Sequence, residues 1–340
     1  MIKLLPFEIN PQIRTYLNYA YSFGVIEGNL GSGIIPRLIC DSYVGCIYSY
    51  EDVNMFYIYN SNGDSWFENN GIMSHNSHVC KKCDIECISE AIEITKEKIS
   101  SGEYVYCYPN EGYFTINNNG KPYNFDHECL LWGIDYDKRT FQSSSYIRGN
   151  YAPYEIGFDE LYNALLNVQS GYVELLFFKL NSNFVFKPLK IDKVIFLLNE
   201  YMSSKCSDFN NRTDIKKYID SGKLKFGIAV WKELINYLEK IGQSGEVIDM
   251  RYIRSFMDYK KLMKLRVEYL VNNNYLNKSY EYLSKIEHNY ITTQNLMLML
   301  LKYKYKPEDQ LLRRAIEKIK IVNEMEQTYI PKLIDGLSTL

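Results

Sequence analysis

The chain has 340 residues, 46% hydrophobic and 24% charged, with a net charge of −2. That length and apolar content bury one large core or two smaller ones and exclude a disordered chain. The balanced charge excludes the basic footprint of a nucleic-acid binder. No run approaches the roughly 18 apolar residues of a membrane span, and residues 1–10 lack the basic start, apolar centre and small-residue cleavage site of a secretory leader. The expectation is a cytoplasmic protein with neither nucleic acid nor membrane as a partner. Eight cysteines in such a chain read as buried small hydrophobes or reactive thiols, not as a disulfide framework.

In chain order, Thr15 to Gly28 reads as an apolar helix, followed by the break "GNLGSG". Those glycines do not make a phosphate loop, because neither the preceding strand nor the following Lys-Ser/Thr is there. Residues Ile34 to Tyr48 read as a second helix and "MFYIYNSNGD" as a strand running into a turn. The stretch "HNSHVCKKCDIEC" reads as a polar loop leading into a helix. Its His75, His78, Cys80, Cys83 and Cys87 have residue types and spacing able to hold zinc, although structural zinc sites usually clip two separated pairs. No cofactor or metal is therefore expected. "CISEAIEITKEKISSG" spaces Ile88, Ala91, Ile92, Ile94 and Ile99 for one helical face, with Gly102 as the stop.

"EYVYCYP" is the next strand, and "HECLLWGID" and "RTFQSSSY" form a hairpin around "YDKR". "YEIGFDELYNALLN" starts as a strand and becomes a helix with Asp159 and Glu160 in its first turn, where the helix dipole favours them. "YVELLFFKL" closes the half as a strand. From about Ile191 the pattern is helical. Ile228, Trp231, Ile235 and Leu238 share one face, and so do Ile253, Phe256, Met257, Tyr259, Met263 and Leu270. His288 falls mid-helix and reads as a surface or packing residue. The division this suggests is an α+β domain over 1–185 and a helical domain over 186–340.

The run "FDHECLLWGIDYDKRTFQSSSYIRGNYAPYEIGFDELYNAL", preceded by "SGEYVYCYPNEGYFTINN", resembles the core of the butirosin-biosynthesis-H type of domain. The helical half, with "FGIAVWKELINYL" and "IDMRYIRSFMDYKKLMKLRVEYL", is similar to the tail that many bacterial members carry. The resemblance implies a papain-like cysteine-enzyme fold with an appended helical bundle. It also implies an acyltransferase or amide synthase of natural-product assembly, which moves an acyl or peptidyl chain from a phosphopantetheine-bearing carrier protein to a small amine. Members place a cysteine at the head of the first long helix, a histidine at the entry of a central strand and an orienting Asp or Asn on the next strand. A helix N-terminus lowers a thiol pKa, a histidine relays protons and a third group fixes its tautomer.

His127 matches the histidine. By position the nucleophile falls at Ala20, near the possible cap Asn18. Three readings stay open: an inactivating replacement of cysteine at Ala20, a relative that binds without catalysis, or a nucleophile from elsewhere, with Cys40 and Cys46 nearest. Asp135 lies eight residues past His127, about 26 Å along a continuous strand and out of reach. The orienting position implied by the resemblance is Ser143, flanked by Gln142 and Ser144, which can accept a proton bond but carries no charge. A hydrolase of the same fold is a further alternative.

Overall fold

The computed structural model describes all residues except 41, 50–54, 60–70, 82–83, 117–123, 148–149, 208–220, 277–279 and 339–340. The predicted turn at 60–64 and Cys83 fall outside the described residues. The elements begin with β1 (Ile2–Leu4), α1 (Leu17–Leu30), α2 (Ile35–Cys40), β2 (Gly45–Ser49), β3 (Met55–Tyr59), β4 (Met73–Lys81), α3 (Ile85–Ser101) and β5 (Tyr104–Cys107). Then come β6 (Cys129–Asp135), β7 (Thr140–Ile147), β8 (Asn150–Gly157), α4 (Phe158–Leu166), β9 (Tyr172–Leu180) and α5 (Ile191–Ser203). The chain finishes with β10 (Leu224–Phe226), α6 (Val230–Ser244), α7 (Met250–Asn272), α8 (Tyr280–Tyr305) and α9 (Asp309–Ser338). The protein is α+β, and among the described residues no helix is long and apolar enough to cross a membrane.

The chain divides into two compact units: Met1–Gly33 with Asp64–Phe186, and Ile34–Gly63 with Lys187–Leu340. The boundary read at 185 cuts the sequence once, whereas the second unit also takes the segment 34–63 from the N-terminal half.

The first unit is built on an antiparallel sheet in the order β4-β9-β5-β6-β7-β8, with β1 beside the distal end of β6. Every residue of β6 is buried, as expected for a strand covered on both faces. The predicted hairpin pairs Asp135 with Thr140 across Tyr136–Arg139. Asp135 shapes that turn: its carboxylate accepts from Asp137 N at 3.0 Å and Lys138 N at 3.2 Å. Helix α3 starts at Asp84, whose side chain caps Cys87 N, and stops at Gly102 in the left-handed region, as the sequence indicates.

Two segments depart from expectation. Residues 34–48 do not form one helix: α2 ends at Cys40 and β2 begins at Gly45. Residues 73–81 are not a loop but the edge strand β4, hydrogen-bonded to β9 along its whole length.

In the second unit α8 packs between α7 and α9, and β2 lies between β10 and β3 in a small antiparallel sheet. Helix α7 holds the end of α2, the residues leading into β2, and β3. The fully buried Arg266 donates to Ile39 O at 2.7 Å and Tyr43 O at 2.6 Å, Tyr259 to Val44 O at 3.1 Å and Ser255 to Phe56 O at 3.1 Å. A guanidinium, with five donors in a fixed fork, can serve carbonyls at and beyond the end of α2 at once.

Candidate functional site

His127 sits in the two-residue connection between an isolated bridge, Asn110 with Asp126, and β6. The main chain clamps this loop against the turn after β5, because His127 N donates to Pro109 O at 3.1 Å and Glu111 N to Phe125 O at 2.9 Å. Asn110 locks the clamp from inside. It is 1% exposed, and its amide oxygen accepts from Gly112 N at 3.1 Å and Phe125 N at 3.2 Å, while its NH2 donates to Asn167 O at 2.9 Å and to the Asn124 side chain. A buried amide with its capacity used on both sides fixes the two segments in register.

The clamp places a carboxylate on the imidazole. Glu111 Oε1 lies 3.1 Å from His127 Nδ1, with the Glu111 side chain 7% exposed and the His127 side chain 35% exposed. The imidazole therefore reaches solvent while the group that orients it does not. Phe125 packs beside the ring, with centroids 5.0 Å apart. A carboxylate accepting from Nδ1–H selects the tautomer with its lone pair on Nε2, and it stabilises the imidazolium when Nε2 takes a proton.

The first turn of α1 lies against the same loop. Glu128 Oε2 accepts from Asn18 N at 3.1 Å, and the Tyr21 hydroxyl lies 3.3 Å from Glu128 O and 2.8 Å from Ser144 O. The N-cap residue is Tyr16, not Asn18, and makes no side-chain cap bond. The carboxylate of Glu128 takes up one of the amides that a cap would otherwise serve. Burial raises the Glu128 pKa, opposed by the Tyr106 hydroxyl, the His127 charge and the Asn18 N–H. The Tyr106 hydroxyl, whose own pKa burial raises, also lies 2.9 Å from the Tyr108 hydroxyl.

Ala20 stands in the first turn of α1, fully buried, its N–H closing the helical bond to Tyr16 O at 3.0 Å. The structure thus brings the start of α1 and the His127 loop together. Ser143 is employed elsewhere: fully buried on β7, it donates to Leu130 O at 2.9 Å, with Cys129 Sγ 3.5 Å away. Cys40 and Cys46 belong to the second unit and are fully buried, and burial raises the Cys46 thiol pKa. Neither offers an accessible nucleophile. His288 is exposed, midway along α8.

Of the zinc candidates, His78, Cys80 and Cys87 converge, with ligand atoms all within 4.8 Å of one another. His75 is on the opposite parity of β4, beside Phe178. Burial and a bond to the Cys87 sulfur push the Cys80 thiol up to about 12.

Glu111 is the residue that sequence reading misses. It precedes His127 by 16 positions, whereas the expected partner follows it. Its one local signal is the turn "PNEG" directly after β5, which puts a carboxylate where the chain must reverse. The chain matches no protein-family model and no curated protein.

Proposed function

We propose that the first unit is an acyl-transfer site of papain-like descent, in which the His127–Glu111 pair acts as general base. It would pass an acyl or peptidyl chain from a carrier-protein phosphopantetheine thioester to a small amine in the cytoplasm. The observation that carries this reading is a buried carboxylate 3.1 Å from Nδ1 of an imidazole that reaches solvent. Such a pair contributes about 100- to 10,000-fold when correctly placed.

In the proposed step the amine nitrogen bonds to the thioester carbon and its proton moves to Nε2 of His127. The C–S bond then breaks, and the imidazolium returns that proton to the departing pantetheine sulfur. No thiol on the enzyme is required, which accords with an alanine at position 20.

A second reading, a protein that binds the acyl carrier without turnover, is favoured by one feature. The Glu128 carboxylate occupies the Asn18 N–H at the head of α1, where a papain-like oxyanion would need donors.

Incubation of the full chain with an acyl-pantetheine thioester and a diamine, followed by mass spectrometry, separates the two. The expected result is amide product, reduced about 100- to 10,000-fold in kcat by His127→Ala and by Glu111→Gln with little change in KM. Ala20→Cys adds a covalent acyl-enzyme only if the helix head still supports a thiolate. Absence of amide from the folded parent chain, with no adduct on Ala20→Cys, overturns the catalytic reading in favour of binding.

A further inference from the structure

We propose that His78, Cys80 and Cys87 form a zinc-binding site that fastens the edge strand β4 to the start of α3. The alternation of β4 points His78 and Cys80 to one face, where their cross-strand partners are Leu175 and Val173. The helix brings the third ligand: Asp84 caps α3 through Cys87 N at 3.0 Å, which fixes Cys87 in the first helical turn beside the strand. The three ligand atoms lie within 4.8 Å of one another. Zinc bonds of about 2.3 Å to sulfur and about 2.0 Å to nitrogen set tetrahedral ligand separations of roughly 3.5–3.8 Å. Closing the triangle by about 1.3 Å at most therefore suffices.

An independent observation points the same way. His78 Nε2 is buried and has no hydrogen-bond partner among the described residues. A buried polar atom left so is destabilising, and a cation with an affinity for imidazole relieves it. One imidazole and two thiols are the donor set of a borderline-soft ion such as zinc, not of calcium or magnesium. The charge balances on binding: each thiol releases its proton to solvent, and the two thiolates neutralise the divalent ion. Three protein ligands leave the fourth tetrahedral position to water or a further donor; Cys83 lies outside the described residues, and the site rests on three ligands alone.

The test is metal analysis of the full chain purified under reducing conditions, followed by zinc back-titration against a chromophoric chelator and by cobalt substitution. One zinc per chain is expected, with thiolate-to-cobalt charge-transfer absorption and release of two protons per metal. His78→Ala, Cys80→Ser and Cys87→Ser each weaken zinc affinity at least about 100-fold, since even loss of an outer-shell partner typically costs 10- to 100-fold. His75→Ala, on the other face of β4, leaves affinity unchanged. Circular dichroism confirms folding, and the partly exposed Cys87 provides the gentler variant should Cys80→Ser disturb the sheet. Substoichiometric metal, cobalt without thiolate charge transfer, or affinity indifferent to both cysteine variants overturns the proposal. None of these readouts depends on acyl transfer.

Discussion

Glu128 and Glu111 both stand beside the His127 imidazole and have different partners. The buried Glu111 bonds the His127 ring, whereas the half-buried Glu128 faces Tyr106 and the Asn18 N–H of α1. Burial raises the Glu128 pKa above its ordinary 4.5, so the folded state holds this proton more tightly than the unfolded chain. The sign follows from linkage: below the unfolded pKa both states are protonated and nothing is lost, and as the pH rises through the folded pKa the ionised form is penalised in the folded state alone. Relative to Glu128→Gln, the parent protein should therefore lose stability as the pH rises from about 4 towards 7. Urea midpoints of both proteins across that range check it, and parallel curves would show that the carboxylate meets no such penalty. The histidine was legible in the sequence because it stands at the entry of an unmistakable strand. Glu111 was not, because its partnership depends on Asn110 pinning two turns that lie 15 residues apart.

At the scale of elements, α1 shows how close an approach this chain demands. A Cβ on Gly28 would sit 2.6 Å from the backbone N and Cα of Phe7, and one on Gly24 2.5 Å from the Phe7 ring. Residues 5–8 thread there between α1 and β6: Glu8 N donates to Gly24 O at 2.9 Å, Leu5 N to Trp132 O at 2.8 Å, and the Phe7 ring stacks on Trp132. Gly28→Ala gains up to about 1 kcal/mol of helix propensity. It must also displace backbone, and overpacking of that kind costs about 1–3 kcal/mol. Net destabilisation of the first unit is expected by thermal denaturation, while Gly33→Ala, with nothing within 4 Å of its Cβ, is expected to be neutral. Elements with a clean period, α3, the β6–β7 hairpin, α4 and β9, were legible from sequence. The strand β4 was not, since "MSHNSHVCK" lacks an apolar alternation and takes its conformation from pairing with β9. Residues 34–48 read as one helix because short apolar clusters recur through them, Leu38–Cys40 and Cys46–Tyr48 among these, a pattern that periodicity alone cannot assign to helix or strand.

For the molecule as a whole, the second unit is organised by a charge it has removed from water. Lys260 Nζ lies 2.5 Å from Glu326 Oε2, with their side chains 1% and 0% exposed. Trp231 Nε1 donates to the same oxygen at 3.0 Å and Tyr201 donates to it at 2.8 Å, while Tyr329 lies 3.3 Å from the other oxygen. The ammonium also lies 4.1 Å from the centroid of the Trp231 ring. Helices α5, α6, α7 and α9 thus meet at one carboxylate. Burial lowers the Lys260 pKa even against the pull of Glu326, which indicates how little solvation remains. Breaking such a pair from one side leaves an uncompensated charge and costs about 3–5 kcal/mol, whereas replacing both partners with apolar side chains is often neutral. Glu326→Ala should therefore destabilise far more than Lys260→Met with Glu326→Leu. The two units also carry separate reporters, Trp231 in the second and Trp132 in the first. In single-tryptophan versions, Glu326→Ala should shift the Trp231 unfolding transition to lower urea and leave the Trp132 transition in place. A common shift of both would mean that the units unfold as one, so that a charge pair buried in one unit sets the stability of the other.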